Sequence, residues 1–329
     1  MIALLSALLL TASVPPKCAF EGEPRRWTQQ ALQAWDRLDH DRIRMRAPTT
    51  PALILFDEVC VYRFTPATAG PFQVGQRTYS VRAESHSGAV DLPGGGQVPA
   101  RKLSFAAPLD GGGMFFVMSL PAVWRADKAE ARDPERLAMV VFMHEFAHTQ
   151  QGAGLGRRID DLIRRGLPED ADDDSLQKTW SAVPDYVKAY EHERDLLYAS
   201  AGAETYEARR VKLDEAAVAM EGRRATYLAD KPLWREADDV FLTFEGTGNW
   251  AAWAWLTDPA GGAMAREDAT VFIRGGRRWW SQDAGLGAML ALDGLMPEWP
   301  SLAFGDQGAT VQDLIALSRQ AKGQAGDQD

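Results

Sequence analysis

Cysteine and histidine are scarce in this chain, with two of the first and five of the second among 329 residues. Two cysteines, Cys18 and Cys60, cannot build a cysteine-rich zinc module. They can form at most one disulfide, and only if the chain is exported and cut before Cys18. Positive charge is also short: 36 Lys and Arg stand against 46 Asp and Glu, a formal net charge of -10. No basic block is dense enough to overcome that background, which excludes nucleic acid as a partner. Long apolar runs are missing too. The N-terminal one, Met1 to Leu10, is too short to span a bilayer permanently. It is followed by Thr11-Ala12-Ser13 and then Pro15-Pro16, which reads as an export signal over residues 1–19, although no Lys or Arg follows Met1. The expected location is therefore periplasmic or secreted. A hydrophobic share of 46% is ample for a full core over residues 20–329.

What is present is concentrated in Phe142-Met143-His144-Glu145-Phe146-Ala147-His148. Upstream, Asp133-Pro134-Glu135 has the form of a helix start: an N-cap, proline at the first helical position and an acidic first turn. Leu137, Val140, Val141, His144 and His148 then recur at helical spacing. Residues four apart on a helix share a face, so His144 and His148 aim two imidazoles at one point. Glu145 is rotated by about 100°, close enough to address a water at that point without displacing it. Two imidazoles, one further protein ligand and an open position suit catalytic zinc. With five histidines, such a pair flanking a glutamate arises by chance in on the order of one chain in a hundred.

The flanking sequence divides into two lobes. Residues 23–44 read as an amphipathic helix, ended by Pro48 and Pro51. Residues 52–64, 77–83, 101–106 and 114–120 are rich in β-branched and aromatic residues and read as strands, with 52–64 as one strand or two. Gly94-Gly95-Gly96 and Gly111-Gly112-Gly113 lack the Lys-Ser/Thr of a phosphate loop and read as tight turns. Residues 20–152 thus form a sheet lobe with the metal helix, and 153–329 a mainly helical lobe. In the second lobe, residues 157–165 are a short helix. The acidic run from Glu169 to Asp174 reads as a solvated linker, since it lacks calcium-loop spacing. Residues 185–200 and 204–229 read as a helical hairpin whose charged positions, including Arg209, Arg210, Arg223 and Arg224, face solvent. The Arg277-Arg278-Trp279-Trp280 cluster either lines a cleft or packs the lobe edge. Residues 313–318 read as a last helix and 320–329 as a frayed end.

Two histidines do not complete a zinc site. A third histidine six residues after His148 would make a metzincin, but that position is Gly154. Glu245 is the leading candidate, on a stretch whose apolar residues keep helical spacing through Gly246 and Gly248. Each glycine costs about 1 kcal/mol against alanine in a helix, tolerable if bare backbone is needed for close packing on the metal helix. Glu191, with His192 and Glu193 beside it, and His86 are the other candidates.

His144-Glu145-x-x-His148 followed by Glu245-Gly246-x-Gly248-x-Trp250 resembles the gluzincins, the thermolysin and zinc-aminopeptidase group. The likeness covers these two helices. Gly248 stands where that family has alanine, and the residues between the ligand helices are far more numerous, so the hairpin would be an insertion. The resemblance implies an α+β zincin-like fold, zinc held by His144, His148 and Glu245, Glu145 as general base, and a peptide or protein substrate. It also implies that the strand ahead of the metal helix, 114–120, binds the substrate backbone as an added strand. Glu191-x-x-x-Asp195 fits the family's Glu-x-x-x-Asp, whose aspartate would orient a metal histidine. Tyr206, Tyr227 and the Arg277 cluster are open as partners for the oxyanion. The expectation is an exported zinc metallopeptidase. The alternatives are a non-catalytic zinc-binding envelope scaffold and a zinc amidase acting on cell-wall peptides.

Overall fold

A computed structural model describes residues 18–128 and 132–325, with the side chains of 321–325 left aside. The expected export signal lies outside the described residues, apart from its last two positions. The chain is α+β. It begins with α1 (Gly22–Leu38), which runs into a wider helical turn at Asp39–Ile43 that Arg44 ends with a left-handed φ of 60°. Eight strands follow: β1 (Ala52–Phe56), β2 (Cys60–Pro66), β3 (Phe72–Val74), β4 (Arg77–Ser85), β5 (Ala89–Asp91), β6 (Gln97–Pro99), β7 (Ser104–Pro108) and β8 (Met114–Ser119). The stretch 52–64 is therefore two strands, parted by a turn in which Asp57 accepts from the backbone N–H groups of Val59 and Cys60. Both glycine triplets are turns with positive φ, as expected.

Six strands make one mixed sheet in the order β3-β4-β2-β1-β8-β7, and β5 pairs with β6 apart from it. β8 runs parallel to β1 and antiparallel to β7, so it lies inside the sheet with both edges taken. This corrects the expectation that 114–120 offers an edge to substrate: the outer strand is β7. A disulfide joins Cys18 to Cys60 across 42 residues of separation and pins the segment ahead of α1 to β2, so the expected signal bound at residue 19 falls too late and a cut would have to precede Cys18. By restricting the unfolded chain, a closure of that size is worth about 2–4 kcal/mol.

Helices then take over: α2 (Pro121–Ala126), α3 (Pro134–Gln150), α4 (Arg157–Arg164), α5 (Ser175–Trp180), α6 (Pro184–Ala201), α7 (Tyr206–Tyr227), α8 (Pro232–Thr257), α9 (Arg266–Arg274), α10 (Trp280–Asp293), α11 (Trp299–Ala303) and α12 (Val311–Ala325). The last helix runs well past residue 318, so much of the expected frayed end is helical. α3 begins as its sequence predicts, with the Asp133 carboxylate accepting from the N–H groups of Glu135 and Arg136. It packs on the sheet through Phe142 and Phe146, which meet Phe116 of β8 and the indoles of Trp27 and Trp35 of α1. Fully buried side chains of this size contribute about 1.5–3 kcal/mol each.

On its other side α3 packs against α8, and α8 packs in turn against α10. Gly246 makes the second contact possible: a Cβ there would lie 2.6 Å from the backbone of Gly285. Gly246 therefore serves the α8–α10 approach, not the metal helix. The α6–α7 hairpin forms as expected, but its arginines do not all face water. Arg210, Arg223 and Arg224 are buried and paired, which corrects the solvent-facing reading. No helix among the described residues is long and apolar enough to cross a membrane.

Candidate metal centre

α3 and α8 face each other across a polar seam in an otherwise apolar contact. His144 Nε2 and His148 Nε2 lie 3.0 Å apart. Glu245, arriving from α8, places Oε2 3.2 Å from the first and Oε1 3.5 Å from the second. These three are the group of metal-capable side chains found among the described residues, with ligand atoms all within 4.8 Å of one another. A tetrahedral ion bound at about 2.0–2.1 Å from each nitrogen sets ligand atoms about 3.3 Å apart, which is the spacing present.

The outer hydrogen bonds fix which nitrogen faces the centre. Asn249 donates through Nδ2 to the carbonyl of Gln282, which turns its Oδ1 to accept from His144 Nδ1 at 2.9 Å. Gln151 donates through Nε2 to Thr247 Oγ1, which turns its Oε1 to accept from His148 Nδ1 at 2.9 Å. Both Nδ1 atoms are thus occupied, and both Nε2 atoms present lone pairs inward. His148 is further held by stacking on Phe244, 4.0 Å between ring centroids. Gly248 is needed because a Cβ there would sit 2.9 Å from His144 Nδ1 and 3.1 Å from His148 Cε1. Bare backbone at that position lets α8 approach both rings, which accounts for glycine where the resembled family has alanine.

The charges report the same crowding. Burial acts to lower the pKa of His144, but the hydrogen bond and charge of Glu245 outweigh it and hold it up at about 9. Burial, together with the positive charge of His144, pushes His148 down. Burial would raise Glu245, yet the charge of His148 and the hydrogen bond from His144 carry it down to about 2. Without an ion His144 is thus the more basic ring, facing the less basic His148 and the Glu245 carboxylate. Glu245 Oε2 is buried with His144 Nε2 3.2 Å away, a contact too poorly aligned to satisfy it fully. Leaving a buried carboxylate oxygen short of partners is costly, and a cation at the centre would satisfy it. The donor set therefore fits a divalent zinc-type ion.

Glu145 stands apart from the chelating atoms. It is half-buried, lines a cleft of about 360 Å³ that opens beside His144, and accepts at Oε1 from Ser104 Oγ on β7, 3.1 Å away. The remaining candidates do not reach the centre. Glu193 is buried in an ion pair with Arg223, while Glu191 and His192 lie on the exposed side of α6. Asp195 pairs with Arg194, and His86 lies against the carbonyl of Asp57 in the sheet lobe. The orienting position expected of Asp195 is filled by Asn249, four residues after Glu245 on the same helix.

Asn249 and Gln151 were missed by sequence reasoning. Their spacing, four after Glu245 and three after His148, carried the signal. The acidic run is not a plain solvated linker either: burial, reinforced by the charge of Glu245, lifts the Asp173 carboxyl to about 7. Tyr206 is exposed beside Arg210, and Tyr227 packs on Trp180 and Tyr186, so neither lines the cleft. In the arginine and tryptophan cluster the roles divide: Arg278 and Trp279 line the cleft, whereas Trp280 stacks on Tyr190 and Tyr186.

Fold and site together define an α+β protein with a buried His-His-Glu centre between two helices and a carboxylate at its rim. No family model, no curated protein and no solved structure matches the chain. Its function is argued from the geometry alone.

Proposed function

We propose that the protein is an exported zinc metallopeptidase of gluzincin type with a zincin-like arrangement of sheet, metal helix and third-ligand helix. The observation that carries this reading is the convergence of His144, His148 and Glu245 on one point while Glu145, held by Ser104, faces the adjoining cleft. A scaffold needs the first three but has no use for a carboxylate at the rim. The Cys18–Cys60 disulfide supports an oxidising compartment.

His144, His148 and Glu245 would hold the ion, with Asn249 and Gln151 keeping the imidazoles in the ligating tautomer. When bound, zinc supplies Lewis acidity, bringing the pKa of a water toward about 7 and polarising a carbonyl. Glu145 takes the proton of the attacking water and later delivers it to the leaving amine. Ser104 holds that carboxylate in place through both transfers. Because Ser104 begins β7, the outer strand of the sheet, a peptide added along that edge would bring its backbone past Glu145.

Two measurements test the reading. Zinc-loaded protein should hydrolyse an unstructured polypeptide, with peptidoglycan fragments as the parallel substrate. Glu145→Gln should lower that rate about 10²–10⁴-fold with zinc content unchanged. Undiminished hydrolysis by Glu145→Gln, or a wild type that takes up no zinc, would end the proposal.

A further inference from the structure

The cleft beside Glu145 is walled by α3 on one side and by the segment joining α9 to α10 on the other. Three of its lining residues are arginines from two separate parts of the chain: Arg132, just before α3, and Arg274 and Arg278. We infer that this cleft selects a substrate carboxylate on the leaving-amine side of the scissile bond. The inference rests on the peptidase reading above. The side follows from Glu145: the group that returns a proton to the leaving amine must lie next to it, and Glu145 is part of this wall.

Each guanidinium lies against a neighbour that orients it, Arg274 most firmly. Arg274 gives Nε and Nη2 to Asp283, at 2.7 and 3.2 Å, and lies 3.8 Å from the Tyr198 ring centroid, which leaves Nη1 outside the pair. Arg278 stacks on Trp279 at 4.5 Å, and its backbone carbonyl accepts from Gln177 Nε2 at 2.9 Å, tying the loop to α5. Just before it, Arg277 sits at a φ of 63°, a left-handed conformation uncommon outside glycine, closed by its N–H donating to the Arg274 carbonyl. Arg132 lies over Phe272 at 5.7 Å and beside Gly275, whose φ of 50° is also left-handed.

Among the described residues the carboxylates in the walls are Glu145 and Asp283, and Asp283 is shared with a further arginine, Arg194, at 3.7 Å. The nearby acidic loop contributes the charge of Asp174 toward Arg278, but its stronger influence, through Asp173, falls on Glu245. Of the three arginines, Arg278 makes no side-chain hydrogen bond to a carboxylate among the described residues, and Arg274 keeps Nη1 outside its pair with Asp283. Val140, Val141 and Phe272 supply an apolar floor for a short methylene stem. Oriented guanidinium forks over such a floor suit an acidic side chain or a free α-carboxylate.

Four peptides distinguish the sources: Glu or Gln immediately after the scissile bond, each with a free or an amidated C-terminus. Charge-assisted hydrogen bonds of this kind discriminate by about tenfold or more in kcat/KM. A Glu over Gln preference assigns the side chain, and a free over amidated preference assigns the terminus. Arg278→Gln and Arg132→Gln, both at exposed positions, should bring the preferred ratio toward one. Equal hydrolysis of all four peptides, or a preference unaltered in both variants, would overturn the inference while leaving the peptidase reading intact.

If no peptide is cut, the peptidase reading fails, and the cleft is tested by calorimetry on the metal-free protein. N-acetyl-glutamate amide should then bind at least about tenfold tighter than its glutamine counterpart, and less so in Arg278→Gln. No difference between the two would sink the inference there as well.

Discussion

α8 carries two buried polar clusters that look alike in composition and differ in kind. Near its start, Asp238 and Asp239 meet Arg223 and Arg224 of α7 and, through Arg223, Glu193 of α6. Further along, Glu245 and Asn249 meet His144 and His148 of α3. The first cluster closes on itself. Arg223 donates to Glu193, Asp238 and Tyr186, and although the outer nitrogens of Arg224 make no hydrogen bond, one lies 3.5 Å from Asp239. Burial would raise the pKa of Asp238, but the two arginines hold it below the usual carboxylate range. The second cluster points its polar atoms at one centre: the two histidine Nε2 atoms lie 3.0 Å apart, and the Glu245 oxygens stand 3.2 and 3.5 Å from them. Charge that is balanced in place secures a helix, whereas converging lone pairs call for something from outside.

Five substitutions would break or sharpen that contrast. The largest effect is expected from Arg223→Met, which leaves Glu193 and part of Asp238 buried without a counter-charge. It should cost about 3–5 kcal/mol in denaturant unfolding of the metal-free protein, with zinc stoichiometry retained by whatever folds. Loss of zinc without loss of stability would reverse the roles assigned to the two clusters. Glu245→Gln should do the opposite, weakening zinc binding by more than about 100-fold while moving metal-free unfolding far less than Arg223→Met does. Competition with a chromophoric chelator reads the affinity directly.

Asn249→Ala and Gln151→Ala each free one imidazole to turn, and should weaken zinc about 10–100-fold in the same assay. An unchanged affinity in both would mean that packing alone holds the rings. A last test concerns Asp173, whose folded pKa of about 7 lies above the ordinary 3.8. A raised acid penalises folding once it must ionise, so the metal-free wild type loses stability as pH climbs from about 4 to about 7. Asp173→Asn is spared that loss. Its stability relative to wild type should grow across this window and level off above it. A flat difference between pH 4 and pH 8 would show that burial does not raise the Asp173 carboxyl.

Sequence periodicity revealed α3, its Asp133 cap and the shared face of His144 and His148, because cap and face are set within a few turns of one helix. It also ranked Glu245 first and found the longer strands to within a few residues, but it missed the three-residue strands β3, β5 and β6. The buried arginines escaped it. Pattern reading sends charge to the surface, and nothing local announces that Arg223 will meet carboxylates 30 residues earlier and 15 later. The edge strand escaped for a similar reason: β7 and β8 are both plausible strands, and only pairing with β1 shows which of them lies inside. The roles of Asn249 and Gln151 depend on amide orientations set by Gln282 and Thr247, residues the motif does not contain.

The amino-acid order by itself determined that two imidazoles lie one turn apart with a carboxylate rotated off their line, since 3.6 residues per turn leaves no other arrangement on a helix. Which distant acid would join them was decided only by packing. Gly246 and Gly248 let α8 close on α10 and on both rings, and that closure brings Glu245 within reach while Arg223 holds Glu193 away.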